Sequence, residues 1–309
     1  MNNVPGAASE VAGPAQHAEG GTVQTQFRFV TWNMRYTTSV PNCRARWDFL
    51  LNDIQWDVLA LQEVSDAAWR YFLAQESQHQ GFCTLDSVFE LPAGSHKRPG
   101  GVALLARHGF TLDRAALIPD YPDIALPELR KPERGLFARL DGLAEPVTVV
   151  SWHAPHAADG QWRTKYRAYQ VLTRWLETRE GPVVLGCDAN NWDLRLDLAR
   201  PNPPKAESHY RWQNLFFSCR PTHRLRDAFV DYLGEHPDEY DRARLDHPAG
   251  PLAITHIRGN QHKRTADRFD YILISPELRV TECDHEFLTA TSSKVGSDHG
   301  TVAATLQLG

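Results

Sequence analysis

Several short apolar runs in this chain end, or begin, on a residue that can ligate, donate or take a proton. Asn33 follows FRFVTW, Glu63 follows DVLALQ, and His153 follows VTVVSW. Asp188 follows VVLGC with Asn190 two positions on, Asp270 precedes YILIS, and Asp298 and His299 stand side by side in GSDHG before TVAATLQL. Alone, each has an ordinary use as a turn former, a helix cap or a packed histidine. As a set they suit one chemistry. A hard divalent cation such as Mg²⁺ or Mn²⁺ takes a few oxygen ligands from protein and leaves the rest to water and phosphate. Glu63, Asp298 and the amide of Asn33 would supply that sparse site, and no CxxC pair or histidine-rich cluster points to zinc instead. Hydrolysis of a phosphoester also needs a group to activate water and donors to meet charge growing on the phosphoryl oxygens. His299 with a nearby acid, Asp188 with Asn190, and His153 are of the right types.

Such groups work only if a rigid scaffold brings them to one place, and strand ends are where scaffolds present them. The alternation in FRFVTWNM (27–34) predicts a strand, the stripe Trp47, Leu50, Leu51, Ile54 predicts a helix over 44–55, and DVLALQEV (57–64) predicts a buried strand. GVALLAR (101–107), GLFARLD (135–141), PVTVVSWHAP (146–155), VVLGCDAN (183–190), FDYILIS (269–275) and TVAATLQL (301–308) read as further strands, linked by turn-rich segments as in antiparallel sheet. A helix is expected over 164–180, stopped by Gly181 and Pro182, and a short one over 225–236. IPDYPDIALPELRKPE (118–133), PNPP (201–204) and IRGNQHKRTADR (257–268) are expected to be loops, the last one basic. Trp32, Trp47 and Trp175 fall in core-patterned segments and are assigned to packing.

The ordered motifs TWN (31–33), LQEV (61–64), GVALLAR, SWHAP (151–155), GCDAN (186–190), LRDAF (225–229), RFDYILIS (268–275) and GSDHG (296–300) resemble those of the endonuclease/exonuclease/phosphatase superfamily of metal-dependent phosphoesterases. The resemblance spans nearly all of the chain beyond residue 26, and DxN, FDYI and SDH are its specific elements. It implies an α/β fold of four layers, αββα, with two mixed β-sheets face to face and the site at one rim. Position by position, it implies Glu63 as the main metal ligand, Asn33 as a contact to the metal or its water, and Asp298 as a further ligand or an acid that orients one. His299 would contact the scissile phosphate and assist water activation, oriented by Asp270. Asp188 and Asn190 would position the attacking water and a phosphoryl oxygen, and His153 would donate to the phosphate. His153-Ala154-Pro155-His156 departs from the Tyr-x-Pro-Asn of abasic-site endonucleases and resembles the deoxyribonuclease I, sphingomyelinase and tyrosyl-DNA phosphodiesterase branches. DANNW (188–192) and DRFDY (267–271) differ from the elements of inositol polyphosphate 5-phosphatases.

Composition bounds the partners. The 309 residues carry a net charge of -5 and a pI near 6.3, so an anionic substrate must be met by local cations or metal rather than by a global basic field. Arg98, within His96-Lys97-Arg98, and Lys263 and Arg264, in the basic loop, are the candidate substrate contacts. A phosphodiesterase acting on DNA or RNA is the first expectation. A phospholipid or small-molecule phosphoesterase is the alternative, and a catalytically silent binding protein the third. No stretch approaches a membrane span, and the N-terminal residues 1–25 lack a basic-then-apolar leader and read as a disordered tail before one domain over 26–309. The five cysteines form no CxxC pair, so a reducing, cytoplasmic setting and a monomer are expected.

Overall fold

The computed structural model describes residues 24–79, 82–86, 101–113, 134–156, 162–191, 215–217, 221–248, 251–260 and 263–309, and the side chains at 76–79, 82–86, 162, 258–260 and 263–264 are outside the description. Two six-stranded sheets lie face to face. Sheet one runs β13 (Leu278–Glu286), β14 (Thr301–Leu308), β1 (Gln26–Asn33), β2 (Val58–Val64), β4 (Gly101–Arg107), β3 (Phe82–Asp86). Sheet two runs β5 (Thr111–Asp113), β6 (Gly135–Asp141), β7 (Val147–His153), β8 (Val183–Asp188), β12 (Asp270–Ile274), β9 (Arg226–Asp227). Both are mixed, because β1 pairs with β2 and β7 with β8 in parallel while their other neighbours run antiparallel. Each parallel pair needs a crossover, and α1 (Val40–Asn52) and α3 (Trp162–Glu177) lie in the two crossovers.

Period-two alternation sorts the strand side chains into two cores. Phe27 and Phe29 of β1 point inward to an inter-sheet core with Val58, Ala60, Leu104, Val149, Val184 and Ile272. Val30 and Trp32 point outward and pack with Trp47, Phe49 and Leu50 of α1 and with Trp69 and Phe72 of α2 (Asp66–His79). On the far side, Phe137, Val150, Trp152, Leu185 and Tyr271 meet Tyr169, Leu172 and Trp175 of α3. The order helix, sheet, sheet, helix is the αββα arrangement, and Trp32, Trp47 and Trp175 are core residues in it. Gly186 of β8 marks a close approach of the sheets: a Cβ there would stand 2.8 Å from side-chain atoms of Phe29, Thr31 and Ala60, a clash any larger residue would meet.

Several expectations are corrected. The basic segment 257–268 is a hairpin, β10 (His256–Asn260) with β11 (Lys263–Asp267), paired from His256↔Asp267 to Asn260↔Lys263. Its polar composition hides the alternation that betrays a buried strand. α2, β3 and β13 join the anticipated elements, as does a helix, α5 (Pro237–Asp246), that buries no residue. The helix expected from 225 starts at Ala228, as α4 (Ala228–Glu235), because Arg226–Asp227 pair with β12 and Asp227 caps it, accepting from the Phe229 N–H at 3.0 Å. Among the described residues no helix is long and apolar enough to cross a membrane. Arg98, residues 1–23, the 118–133 loop and PNPP lie outside the described residues.

Candidate active site

Strand register sets the site. Parallel pairing places His153 beside Asp188, antiparallel pairing places Asp188 beside Asp270, and in the other sheet Asn33 lies beside Gln62. Along each inward face the ladder turns from apolar to polar near the rim. Phe29 gives way to Thr31 and then Asn33, Val149 to Ser151 and then His153, and Val184 to Gly186 and then Asp188. These polar residues are buried, so they bond to one another across the gap between sheets. Gln62 Nε2 donates to Ser151 Oγ (3.2 Å), and one step closer to the rim Asn33 Nδ2 donates to Asp188 Oδ2 (2.8 Å).

Glu63 breaks the alternation. Leu59 and Leu61 face α1 and α2, so a regular strand would send Glu63 the same way. Instead the β2–β4 register shifts between Leu61 and Val64, and Glu63 takes a left-handed φ of 53°. A bulge of this kind re-aims a side chain. Its Oε1 comes within 3.8 Å of His153 Nε2, while Oε2 accepts from the Tyr36 N–H at 3.1 Å. Arg35 and Asn190 also have positive φ, and these are the non-glycine residues with that strain among the described ones, all beside the site.

Around Asp188 the geometry is tight. Its Oδ1 accepts from the Asn190 N–H at 2.7 Å, and its Oδ2 lies 3.5 Å from His153 Nε2 and 4.0 Å from His299 Nε2. Asn190 Nδ2 donates to the Ala154 carbonyl (3.0 Å) and leans on Asp188 Oδ2 (3.3 Å). His299 Nδ1 and Asp270 Oδ2 share a 2.8 Å hydrogen bond, and the other oxygen of Asp270 is buried without a partner. Burial raises the Asp188 carboxyl above its usual range against the opposing pull of His299. For His299 burial acts downward, but Asp270 and Asp188 outweigh it and push the imidazole up to about 10. The inner ring is thus a buried imidazolium between two carboxyl groups.

Asp188, Asp270 and His299 hold ligand atoms within 4.8 Å of one another, a group able to share a metal ion, but His299 Nδ1 and Asp270 Oδ2 are bonded to each other and the Asp188 oxygens already accept from Asn190 and Asn33. The mouth differs. Glu63 and Asp298 keep a third or more of their side chains exposed (33% and 42%), and Asp298 meets Arg35 Nε only at 3.7 Å. Water-accessible carboxylates backed by an amide oxygen suit Mg²⁺ or Mn²⁺, which retain several waters. Asn33 is deeper, its Oδ1 accepting from the Arg35 N–H at 2.9 Å with a second lone pair to spare. Lys263 and Arg264 stand on β11, at the far end of the hairpin from His256.

Other residues of the site work through the backbone, and Arg46, Lys165 and Tyr169 among them carry no motif. Arg46 of α1 is buried and donates to the carbonyls of Arg35 (2.5 Å), Gly296 (2.9 Å) and Val295 (3.2 Å), tying together the loops after β1 and before β14. Burial lowers its guanidinium to about 10. Lys165 Nζ donates to the Asn190 carbonyl (2.6 Å) and Tyr169 Oη to that of Ala189 (2.5 Å), fixing the turn after Asp188 from α3. Ser297 Oγ donates to the Asn33 carbonyl (2.8 Å), and the Trp32 indole N–H donates to the His299 carbonyl (3.0 Å). A cation aimed at carbonyls is invisible in sequence, although Arg46 on the buried stripe of α1 is a detectable anomaly.

The sequence profile of the Endonuclease/Exonuclease/phosphatase family matches residues 30–299. Known structures share the fold at low identity. The catalytic domain of Xenopus laevis APE2 superposes with a TM-score of 0.59 at 18% identity, covering 91% of each chain. D. rerio TDP2 complexed with a single-strand DNA product gives 0.57 at 13%, covering 91% of this chain and 99% of that one. The human Nocturnin catalytic domain with bound sulfate gives 0.56 at 16%, covering 93% and 96%. No curated protein matches the sequence. The chain belongs to the Endonuclease/Exonuclease/phosphatase family and has its phosphoesterase fold.

Proposed function

We propose that this family member is a divalent-metal-dependent phosphodiesterase that hydrolyses nucleic acid. The observation that carries the reading is the convergence of His153, Asp188 and the His299–Asp270 pair, with Glu63 within 3.8 Å of His153 at the water-accessible mouth. Glu63, Asp298 and the spare lone pair of Asn33 would hold Mg²⁺ or Mn²⁺. When bound, the ion supplies positive charge to a phosphoryl oxygen and lowers the pKa of nearby water.

This chain's own residues would do the rest. Asp188, made more basic by burial, takes a proton from the attacking water that Asn190 helps to place. The water oxygen bonds to phosphorus, the bond to the leaving oxygen breaks, and that oxygen takes its proton from solvent. Nε2 of protonated His299, steadied by Asp270, and His153 donate to the non-bridging oxygens, where negative charge grows. The basic hairpin with Lys263 and Arg264, and Arg98, would meet flanking phosphates. The DNA product held by the structurally similar D. rerio protein supports a nucleic-acid substrate.

Purified protein with Mg²⁺ or Mn²⁺ is expected to cleave at least one of plasmid, single-stranded DNA and RNA, and to stop on chelation. Turnover of sphingomyelin or a small phosphoester, with all three nucleic acids intact, would sink the nuclease assignment and leave a phosphoesterase of another class.

A further inference from the structure

A second histidine stands against His299. The His256 ring lies 4.4 Å, centroid to centroid, from that of His299 at an interplanar angle of 37°. The same ring stacks on Phe269 at 5.2 Å and 21°. The two histidines also form an isolated antiparallel bridge in the backbone. Next to it, Thr255 binds the segments on both sides. Its carbonyl accepts from the Gly300 N–H (2.7 Å), and its Oγ1 accepts from the N–H groups of Phe269 (2.9 Å) and Asp270 (3.1 Å). One dipeptide at the base of the basic hairpin thus touches both halves of the His299–Asp270 pair.

That pair needs bracing. A single hydrogen bond at Nδ1 holds only one edge of the His299 ring, and a tilt of the ring would carry Nε2 away from Asp188. A flat neighbour itself stacked on Phe269 opposes the tilt, and an off-parallel ring contact of this kind is attractive besides. His256 makes no hydrogen bond through its Nδ1, so the ring is held by its faces rather than by a polar anchor.

We propose that His256 is a positioning residue of the site, whose ring, packed on both Phe269 and His299, holds the His299 imidazole on Asp270 with Nε2 toward Asp188. The inference rests on the reading of His299 as a phosphate-facing group. It also gives the hairpin a role at its base distinct from any contact at its tip.

The test compares wild type with His256→Phe, which keeps a flat ring, His256→Leu, which fills the space without one, and His256→Ala. On a nucleic-acid substrate cleaved by wild type, His256→Ala and His256→Leu are expected to lose about 10- to 100-fold in kcat, the cost of a misplaced group. KM should move less than about twofold in both, a split that general unfolding of the site would not give, and His256→Phe should recover most of the loss. Wild-type kcat in His256→Leu, or a defect in His256→Phe as deep as in His256→Ala, overturns the proposal. A second measurement stands without activity: the low-field proton NMR signal of His299 Nδ1–H, shared with Asp270, is expected in wild type and His256→Phe and lost to solvent exchange in His256→Ala. Its persistence in His256→Ala overturns the bracing role. Silence of the wild type on every phosphoester, with the NMR difference intact, overturns the function alone.

Discussion

Two zones of the site are built on opposite principles. In the inner ring, Asp188, Asn190, Asp270 and His299 are buried or nearly so and engage one another at hydrogen-bond distances set by strand register. At the mouth, the side chains of Glu63, Arg35 and Asp298 reach water, and their ion contacts are long, at 3.7 and 3.8 Å. A preorganised ring spends nothing on reorganisation when charge moves. A water-accessible mouth can exchange its ligands. On the proposed function, the contrast would divide proton handling and ion capture between depths rather than between residues of one cluster.

The comparison can be broken most directly by truncating each zone. His299→Ala or Asp188→Ala is expected to lower kcat by about 10²–10⁴, the range of single acid–base and electrostatic groups. Excess Mn²⁺ should restore none of it. Glu63→Gln should lose activity on a comparable scale at low metal but regain part of it as Mn²⁺ is raised, and a metal titration separates the two. Equal behaviour of both variants in that titration would erase the division.

Behind the inner ring, the buried pair of Arg268 with Asp227 (2.6 and 2.8 Å) ties the start of β12 to α4, with the guanidinium between the rings of Phe229 and Tyr271. Asp227→Asn leaves the cation uncompensated and removes the charge at the α4 cap, so it should cost about 3–5 kcal/mol in a urea melt. Arg46→Lys sharpens the boundary between zones. An ammonium cannot reach three carbonyls in a fork geometry, so about 1–3 kcal/mol of stability should go with an orphaned carbonyl, and the metal requirement should rise while the His299 Nδ1–H signal stays.

The smallest effect lies away from both zones. Burial, and then Arg268, push His285 well below its usual range, so the folded protein holds it neutral. The unfolded chain protonates it near pH 6.5. Protons therefore favour the unfolded state below that pH, and the His285 contribution to stability is complete above about 6.5 and falls at up to about 1.4 kcal/mol per pH unit beneath it. His285→Phe, packed on Phe229, should flatten this limb in denaturant midpoints taken between pH 5 and 7. His256, lowered to about 4 mainly by its own burial, leaves a residual slope.

The inner ring was legible in sequence because each member stands at one end of an apolar run, and a run of that kind fixes both the strand and where it starts or stops. GSDHG and FDYI likewise announced a neighbouring acid and imidazole, though only antiparallel register shows that Asp270 faces Asp188. The hairpin was misread since Arg258, Lys263 and Arg264 lend it no apolar period. Glu63 was found by type, but alternation alone would have turned it away, and the bulge that saves it has no signature in LQEV. Arg46, Lys165, Thr255 and His256 stayed hidden for a different reason: they act on carbonyls, amides and ring faces, which every residue or many residues offer, so spacing carries no trace of them.

Gly186 has a consequence beyond packing. The site draws Asn33, Glu63 and His299 from one sheet and His153, Asp188 and Asp270 from the other, so its dimensions are those of the joint between two slabs. A side chain at position 186, two residues below Asp188 and beside Thr31, would act as a shim. It would open the jaw at the rim by leverage, stretching the Asn33–Asp188 bond and parting the proposed site with every one of its residues still present.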